Sequence, residues 1–111
     1  MIAVIFEATP SPDSRHTYLD LAAQLRPQLE NLDGFISIER FESLTQPGKL
    51  LSLSFWRDES AVSAWREAPD HRAAQKAGRQ GVFSHYRLRV AQVIRDYGSD
   101  SRAQAPLGHS S

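Results

Sequence analysis

Cysteine is absent from the 111 residues, which excludes disulfide bonds, a thiolate metal site and a cysteine nucleophile. An excess of one charge is absent too, because 13 Lys and Arg residues balance 13 Asp and Glu residues. No apolar run approaches the roughly 20 residues that span a bilayer, and the N-terminal segment lacks the positive flank of a signal peptide. We therefore expect a cytoplasmic protein that binds neither nucleic acid nor membrane.

The sequence does contain one domain's length of ordinary globular composition, with 41% hydrophobic and 23% charged residues. Apolar residues recur at helix and strand spacings as far as Tyr97. From Gly98 onward the chain consists mainly of polar residues, Pro and Gly, which predicts a disordered tail. The predicted division is a domain over residues 1–97 and a tail over residues 98–111.

Six main elements are predicted from the periodicity of the apolar residues. Alternation predicts strands over residues 2–8, 35–43, 50–56 and 83–97. Helical spacing predicts one helix that begins after Ser14 and is kinked or restarted at Pro27, and a second that Asp58 caps. A further helical stretch is predicted over residues 69–78. The order βαββαβ indicates a ferredoxin-like α+β fold, with an antiparallel sheet and both helices on one face.

The face of the sheet without helices is predicted to be apolar. Alternation assigns seven residues to it, although a register shift of one residue would exchange the two faces: Ile5, Glu7, Ile36, Ile38, Arg40, Leu50 and Trp56. So many large apolar side chains are not expected to remain in water. We therefore expect a homodimer, in which a second copy covers this face and the two sheets form a barrel.

Several short motifs together resemble the ABM (antibiotic biosynthesis monooxygenase) superfamily. They are GFISIERF (residues 34–41), FWRDE (55–59), AWR (64–66), HRAAQ (71–75), GR (78–79) and YRLRV (86–90). The resemblance covers residues 1–97 and implies a dimeric α+β barrel with a pocket between the sheet and the helices of each subunit. Superfamily members include oxygenases that need neither metal nor flavin, haem-degrading enzymes and proteins with no established activity.

The haem-degrading members can be compared residue by residue. Their pattern has two Trp residues nine positions apart, and Trp56 and Trp65 match it. The pattern then has an iron-ligating His where this chain has Gln75, and an Asn on the first strand where it has Glu7. A glutamine amide is a poor iron ligand. Both departures argue against haem, while a ligand shifted by one helical turn to His71 stays open.

His71 is the predicted catalytic residue. It would serve as the base that removes a phenolic proton, or as the donor that holds a substrate oxygen. The alternative is a surface or capping His beside Asp70 and Arg72.

Six residues are predicted to line the substrate pocket: Trp56, Trp65, Phe83, Tyr86, Gln75 and Arg40. Core packing is the alternative for Trp65 and Tyr86, and the dimer interface is the alternative for Trp56. A structural ion pair, for instance with Glu7, is the alternative for Arg40, because a charge among apolar neighbours needs a partner.

The function predicted on these grounds is that of a cofactor-independent monooxygenase, which uses O2 and a small aromatic or quinol-like substrate. No cofactor and no metal are expected. Two alternatives stay open: a haem-binding and haem-degrading monooxygenase, and a non-catalytic module that binds a small molecule, for instance in a stress response.

Overall fold

A computed structural model of the chain describes residues 1–68 and 83–106. Its elements are β1 (Ile2–Pro10), α1 (Arg15–Glu30), β2 (Phe35–Glu42), β3 (Leu50–Trp56), α2 (Glu59–Glu67) and β4 (Phe83–Gln92). The four strands form one antiparallel sheet in the order β2-β3-β1-β4. The predicted α+β class and the predicted order of elements are therefore confirmed.

The hydrophobic core lies between the two helices and one face of the sheet. Leu29 of α1 and Val62 of α2 pack in one cluster with Ile2, Val4 and Trp56. We call this side of the sheet the helix face and the other side the open face. Residues directly opposite each other on neighbouring strands share a face, so the register assigns each paired strand residue to one of the two.

The register reverses part of the predicted face assignment. Ile2 of β1 pairs with Trp56 of β3, and Val4 pairs with Ser54. Trp56 and the alternate residues of β3 therefore belong to the helix face. Ile38, Arg40 and Leu50, also predicted for the open face, lie on the helix face as well.

Ile5 and Glu7 do lie on the open face, as predicted. A shift in pairing between Phe35 and Ser37 alters the alternation at the start of β2. This irregularity is one reason why the alternation of β2 did not give the faces correctly.

The bounds of two predicted elements also differ. Helix α1 continues through Pro27 to Glu30 without a restart. Pro27 has no N–H to donate to the Ala23 carbonyl, and only the last turn of the helix, to Glu30, follows it. Strand β4 ends at Gln92, and the helical stretch predicted over residues 69–78 lies outside the described residues.

Local contacts organise part of the segment predicted to be a disordered tail. The backbone N–H of Gly98 donates to the Ser101 carbonyl at 2.8 Å, and the Arg102 guanidinium lies 5.3 Å from the centre of the Tyr97 ring. The division between a domain and a tail stays a prediction. No helix in the described part of the chain is long and apolar enough to cross a membrane.

Candidate functional site

Two stacked indoles occupy one end of the helix face. Trp56 and Trp65 have ring centroids 4.8 Å apart and an angle of 20° between their planes, and Phe35 meets Trp56 edge-on at 5.3 Å. The Trp56 Nε1–H donates to Ser54 Oγ at 2.9 Å, which satisfies the only polar group of the ring. Trp56 is 0% exposed. In the single chain it is a core residue, and its predicted contact with a substrate stays a prediction.

A second aromatic cluster occupies the other end of the helix face. The Phe83 ring lies 5.5 Å from Phe6, 5.1 Å from Tyr18 and 6.2 Å from Tyr86. Tyr86 is 59% exposed whereas Trp56 is 0% exposed, so this cluster is more accessible than Trp56. It contains the predicted pocket residues Phe83 and Tyr86, and we call it the aromatic cluster.

Two members of the aromatic cluster, Phe6 and Tyr18, were not among the predicted site residues. Phe6 alternates with Ile2 and Val4 on β1, and Tyr18 begins the apolar stripe of α1. Both signals are present in the sequence. They did not identify a site because core residues of strands and helices give the same signals.

Arg40 lies on the helix face beside these apolar residues. It pairs with Ser52 of β3, which in turn pairs with Phe6 of β1. The Arg40 Nε atom is buried, and no hydrogen-bond acceptor among the described residues reaches it. An N–H group in this state is costly, because it has lost water without gaining a partner.

Glu7 faces the opposite way from Arg40. On the open face its carboxylate lies 3.2 Å from Arg89 Nη1 and 3.7 Å from Lys49 Nζ. The sheet separates Glu7 from Arg40, so the ion pair considered for these two residues is not formed within the chain. In the comparison with the haem-degrading members, Glu7 stands where they have an Asn on the first strand, and its side chain points away from the helices.

His71 and Gln75 lie outside the described residues. The roles predicted for them, as catalytic base and as pocket residue, stay predictions. Within residues 1–68 and 83–106 no group of three or more His, Asp or Glu side chains could hold a metal ion.

An open groove of about 470 Å³ lies where the start of β1, the start of α2 and the end of β4 meet. None of the predicted site residues that the structure describes lines it. Arg57 lines the groove, and its guanidinium group donates to Asp33 at 3.0 and 3.1 Å and to Asp58 at 2.9 Å. Hydrogen bonds from Arg57 lower the pKa of the Asp33 carboxyl below its ordinary value. Because this guanidinium is already paired, the groove is a weaker candidate site than the aromatic cluster.

A family model and one of the curated relatives name the same family. The model of the family described as antibiotic biosynthesis monooxygenase matches residues 1–77. The jasmonate monooxygenase ABM of Pyricularia oryzae is 54% identical over 93 residues, which are 84% of this chain but only 43% of that protein. The uncharacterized protein YqjZ of Bacillus subtilis is 29% identical over 93 residues, or 84% of this chain and 79% of that one. The chain thus spans less than half of the Pyricularia protein.

Solved structures share the fold at low sequence identity. A candidate antibiotic biosynthesis monooxygenase from Deinococcus radiodurans superposes with a TM-score of 0.78 at 16% identity, covering 88% of this chain and 97% of the other. Rv0793 from Mycobacterium tuberculosis has a TM-score of 0.78 at 21% identity, with 87% and 98% covered. These likenesses support the fold and carry no information about the substrate.

Proposed function

The chain belongs to the antibiotic biosynthesis monooxygenase family, and we propose that it is a monooxygenase that transfers one atom of O2 to a small organic molecule. The observation that carries this proposal is the 54% identity to the jasmonate monooxygenase of Pyricularia oryzae. The match between the two proteins spans residues of both helices and most of the sheet, since it covers 84% of this chain.

The proposed substrate is a small aromatic or quinol-like compound that binds on the helix face beside the aromatic cluster. The exposed ring of Tyr86 supports this placement, because aromatic side chains contact flat ligands through stacked or edge-on geometries. Jasmonate is the second compound to test, because the Pyricularia relative carries that name.

The proposed chemistry needs no bound cofactor when the substrate is a quinol or an anthrone. His71 takes the phenolic or enolic proton, and the resulting anion is electron-rich enough to reduce O2 itself. One oxygen atom enters the substrate, and the other leaves as water with two hydrogens that the substrate supplies. Hydroxylation of jasmonate would require two further electrons, so that assay includes reduced nicotinamide as a donor.

Oxygen uptake by the purified protein tests this function. We expect uptake with at least one anthrone, quinol or jasmonate, and a His71→Ala variant that is slower by about 100-fold or more, as expected for loss of a general base. His16→Ala is the matched control, because the His16 side chain is 90% exposed and pairs with Asp20 on the surface of α1. Equal uptake by wild type and His71→Ala would show that His71 is not the base.

Two further readouts separate the alternatives. Haem added to the protein would give a shifted Soret band if the chain were a haem-binding enzyme. A thermal shift with a small molecule, without any oxygen uptake, would favour a binding module. Either result without uptake from any substrate would overturn the proposed monooxygenase.

We further propose that the chain works as a homodimer through its open face. Leu51, Leu53 and Phe55 of β3 form an apolar strip there, flanked by Ile5 of β1. Phe41 extends it at the edge of the sheet and is 43% exposed. Contact with a second copy would remove the apolar area of this strip from water, and each Å² removed would stabilise the dimer by about 25 cal/mol.

The cytoplasmic location stays a prediction from the sequence.

A further inference from the structure

The unpartnered Arg40 Nε is the feature of the helix face that the proposed chemistry does not use. Buried N–H groups in folded proteins almost always have an acceptor, so each exception calls for an explanation. A guanidinium carries only N–H donors and no acceptor, so this residue can be satisfied only by an acceptor on another group. An acceptor from outside the described residues would satisfy it.

The nearby carboxylates on β1 and β2 do not provide that acceptor. Glu42 lies two residues further along the same face, and its Oε1 is 3.5 Å from Arg15 Nη2. Glu39 alternates to the open face, and Glu7 is held on the open face by Arg89 and Lys49. Arg40 thus lies on the helix face without a carboxylate from either strand.

The surroundings of Arg40 indicate which kind of ligand would supply the acceptor. Ser52 lies directly opposite it, and Phe6 follows on the next strand. Two strand spacings, about 10 Å, therefore separate a cationic position from the aromatic cluster. A ligand that spans both positions has an anionic end and an apolar body.

We propose that Arg40 binds the carboxylate of the substrate, and that the substrate is an organic acid whose apolar body lies against the aromatic cluster. The planar guanidinium presents its N–H donors in a fork that fits the two oxygens of a carboxylate. Arg40 is then a binding residue that sets specificity, and it takes no part in oxygen transfer. This inference rests on the proposed function for the position of the substrate on the helix face.

Three pairs of an acid and its methyl ester test the proposal: jasmonate, 4-phenylbutanoate and octanoate, each with its ester. Calorimetry on the full chain is expected to give tighter binding of the acid than of the ester in at least one pair, by about 10- to 100-fold, as for a charge-assisted hydrogen bond. Arg40→Gln is expected to abolish this preference. Arg40→Lys keeps the charge but loses the fork of N–H donors, so this variant should retain only part of the preference for the acid.

Arg66→Gln is the matched control, since Arg66 is exposed on α2 and its loss removes the same charge. It should bind acid and ester as the wild type does. An acid preference that survives in Arg40→Gln, or one that is missing from all three pairs in the wild type, overturns the proposal.

A stability measurement separates ligand binding from a structural role. Arg40→Met removes the unpartnered N–H, so the ligand-free variant should melt at a higher temperature than the wild type while it loses the acid preference. A lower melting temperature would mean that Arg40 supports the fold and would contradict the proposal.

These binding measurements are independent of oxygen uptake. Acid binding through Arg40 without turnover would refute only the monooxygenase, and turnover without acid preference would refute only the role of Arg40.

Discussion

At the scale of single residues, two glycines with the same backbone conformation have different surroundings. Gly34 and Gly48 have φ values of 85° and 84°, in the left-handed region that other residues avoid. A Cβ on Gly34 would lie 2.5 Å from the Cβ of Ala61 in α2, whereas a Cβ on Gly48 would meet nothing within 4 Å. Gly34 thus allows α2 to pack closely on the turn before β2.

The two glycine sites predict unequal costs for the same substitution. Gly48→Ala should lower the free energy of unfolding by about 1 kcal/mol, the cost of the left-handed conformation alone. Gly34→Ala should lower it by about 3 kcal/mol, because overpacking against Ala61 adds to that cost. Urea denaturation of both variants measures the difference, and equal losses would mean that α2 moves away at little cost.

Single residues also mark the limit of what sequence patterns predicted about the site. The side chains predicted to contact a ligand, among them Trp65, Tyr86 and Arg40, were recognisable by type. Their accessibility was not, because burial depends on what packs against each side chain. Trp56 illustrates this: one indole fits either a pocket wall or a core, and only the contacts with Trp65 and Ser54 distinguish them.

At the scale of elements, α2 begins where the sequence predicted it. The Asp58 Oδ1 atom accepts a hydrogen bond from the Ala61 N–H at 2.9 Å, as an N-cap does. This hydrogen bond, with help from Arg57, lowers the pKa of the Asp58 carboxyl below its ordinary value of 3.8. The cap and the ion pair thus share one carboxylate.

Loss of this cap should have a pH-dependent cost. Asp58→Ala should lower the melting temperature by a few degrees at pH 7, because a depressed pKa in the folded state stabilises the protein at every pH above the ordinary value. The difference from wild type should shrink as the pH falls below about 4, through the pKa of the folded state. Scanning calorimetry between pH 2.5 and pH 7 measures both.

Asp58→Asn is the matched control for that measurement, because an amide oxygen still caps the helix but cannot pair with Arg57. It should retain most of the stability. An Asn variant as unstable as the Ala variant would mean that the ion pair with Arg57, and not the cap, stabilises the start of α2.

At the scale of the whole molecule, the open face is the surface that a second copy would cover. Leu53→Asp places a charge in the middle of its apolar strip, between Leu51 and Phe55. We expect light scattering to give twice the 12.5 kDa chain mass for the wild type at micromolar concentration, and a monomer for this variant. Leu44→Asp is the control, because Leu44 is fully exposed in the loop after β2. A monomeric wild type, or a dimeric Leu53→Asp variant, would refute the homodimer.

The sequence by itself determined the order of elements, the ferredoxin-like class and the cap of α2. These follow from spacing along the chain, from turn residues and from local hydrogen bonds, none of which require distant contacts. The resemblance of short motifs also sufficed to identify the family.

Only the tertiary structure decided which face of the sheet meets the helices. Alternation along a strand defines two faces but does not rank them, since Leu53 and Trp56 are equally suited to burial. The packing of Leu29 and Val62 on Trp56 determines which face the helices cover. This packing places Arg40 on the same face as the aromatic cluster and Glu7 on the opposite face, so that two charges considered as partners are separated by the thickness of the sheet.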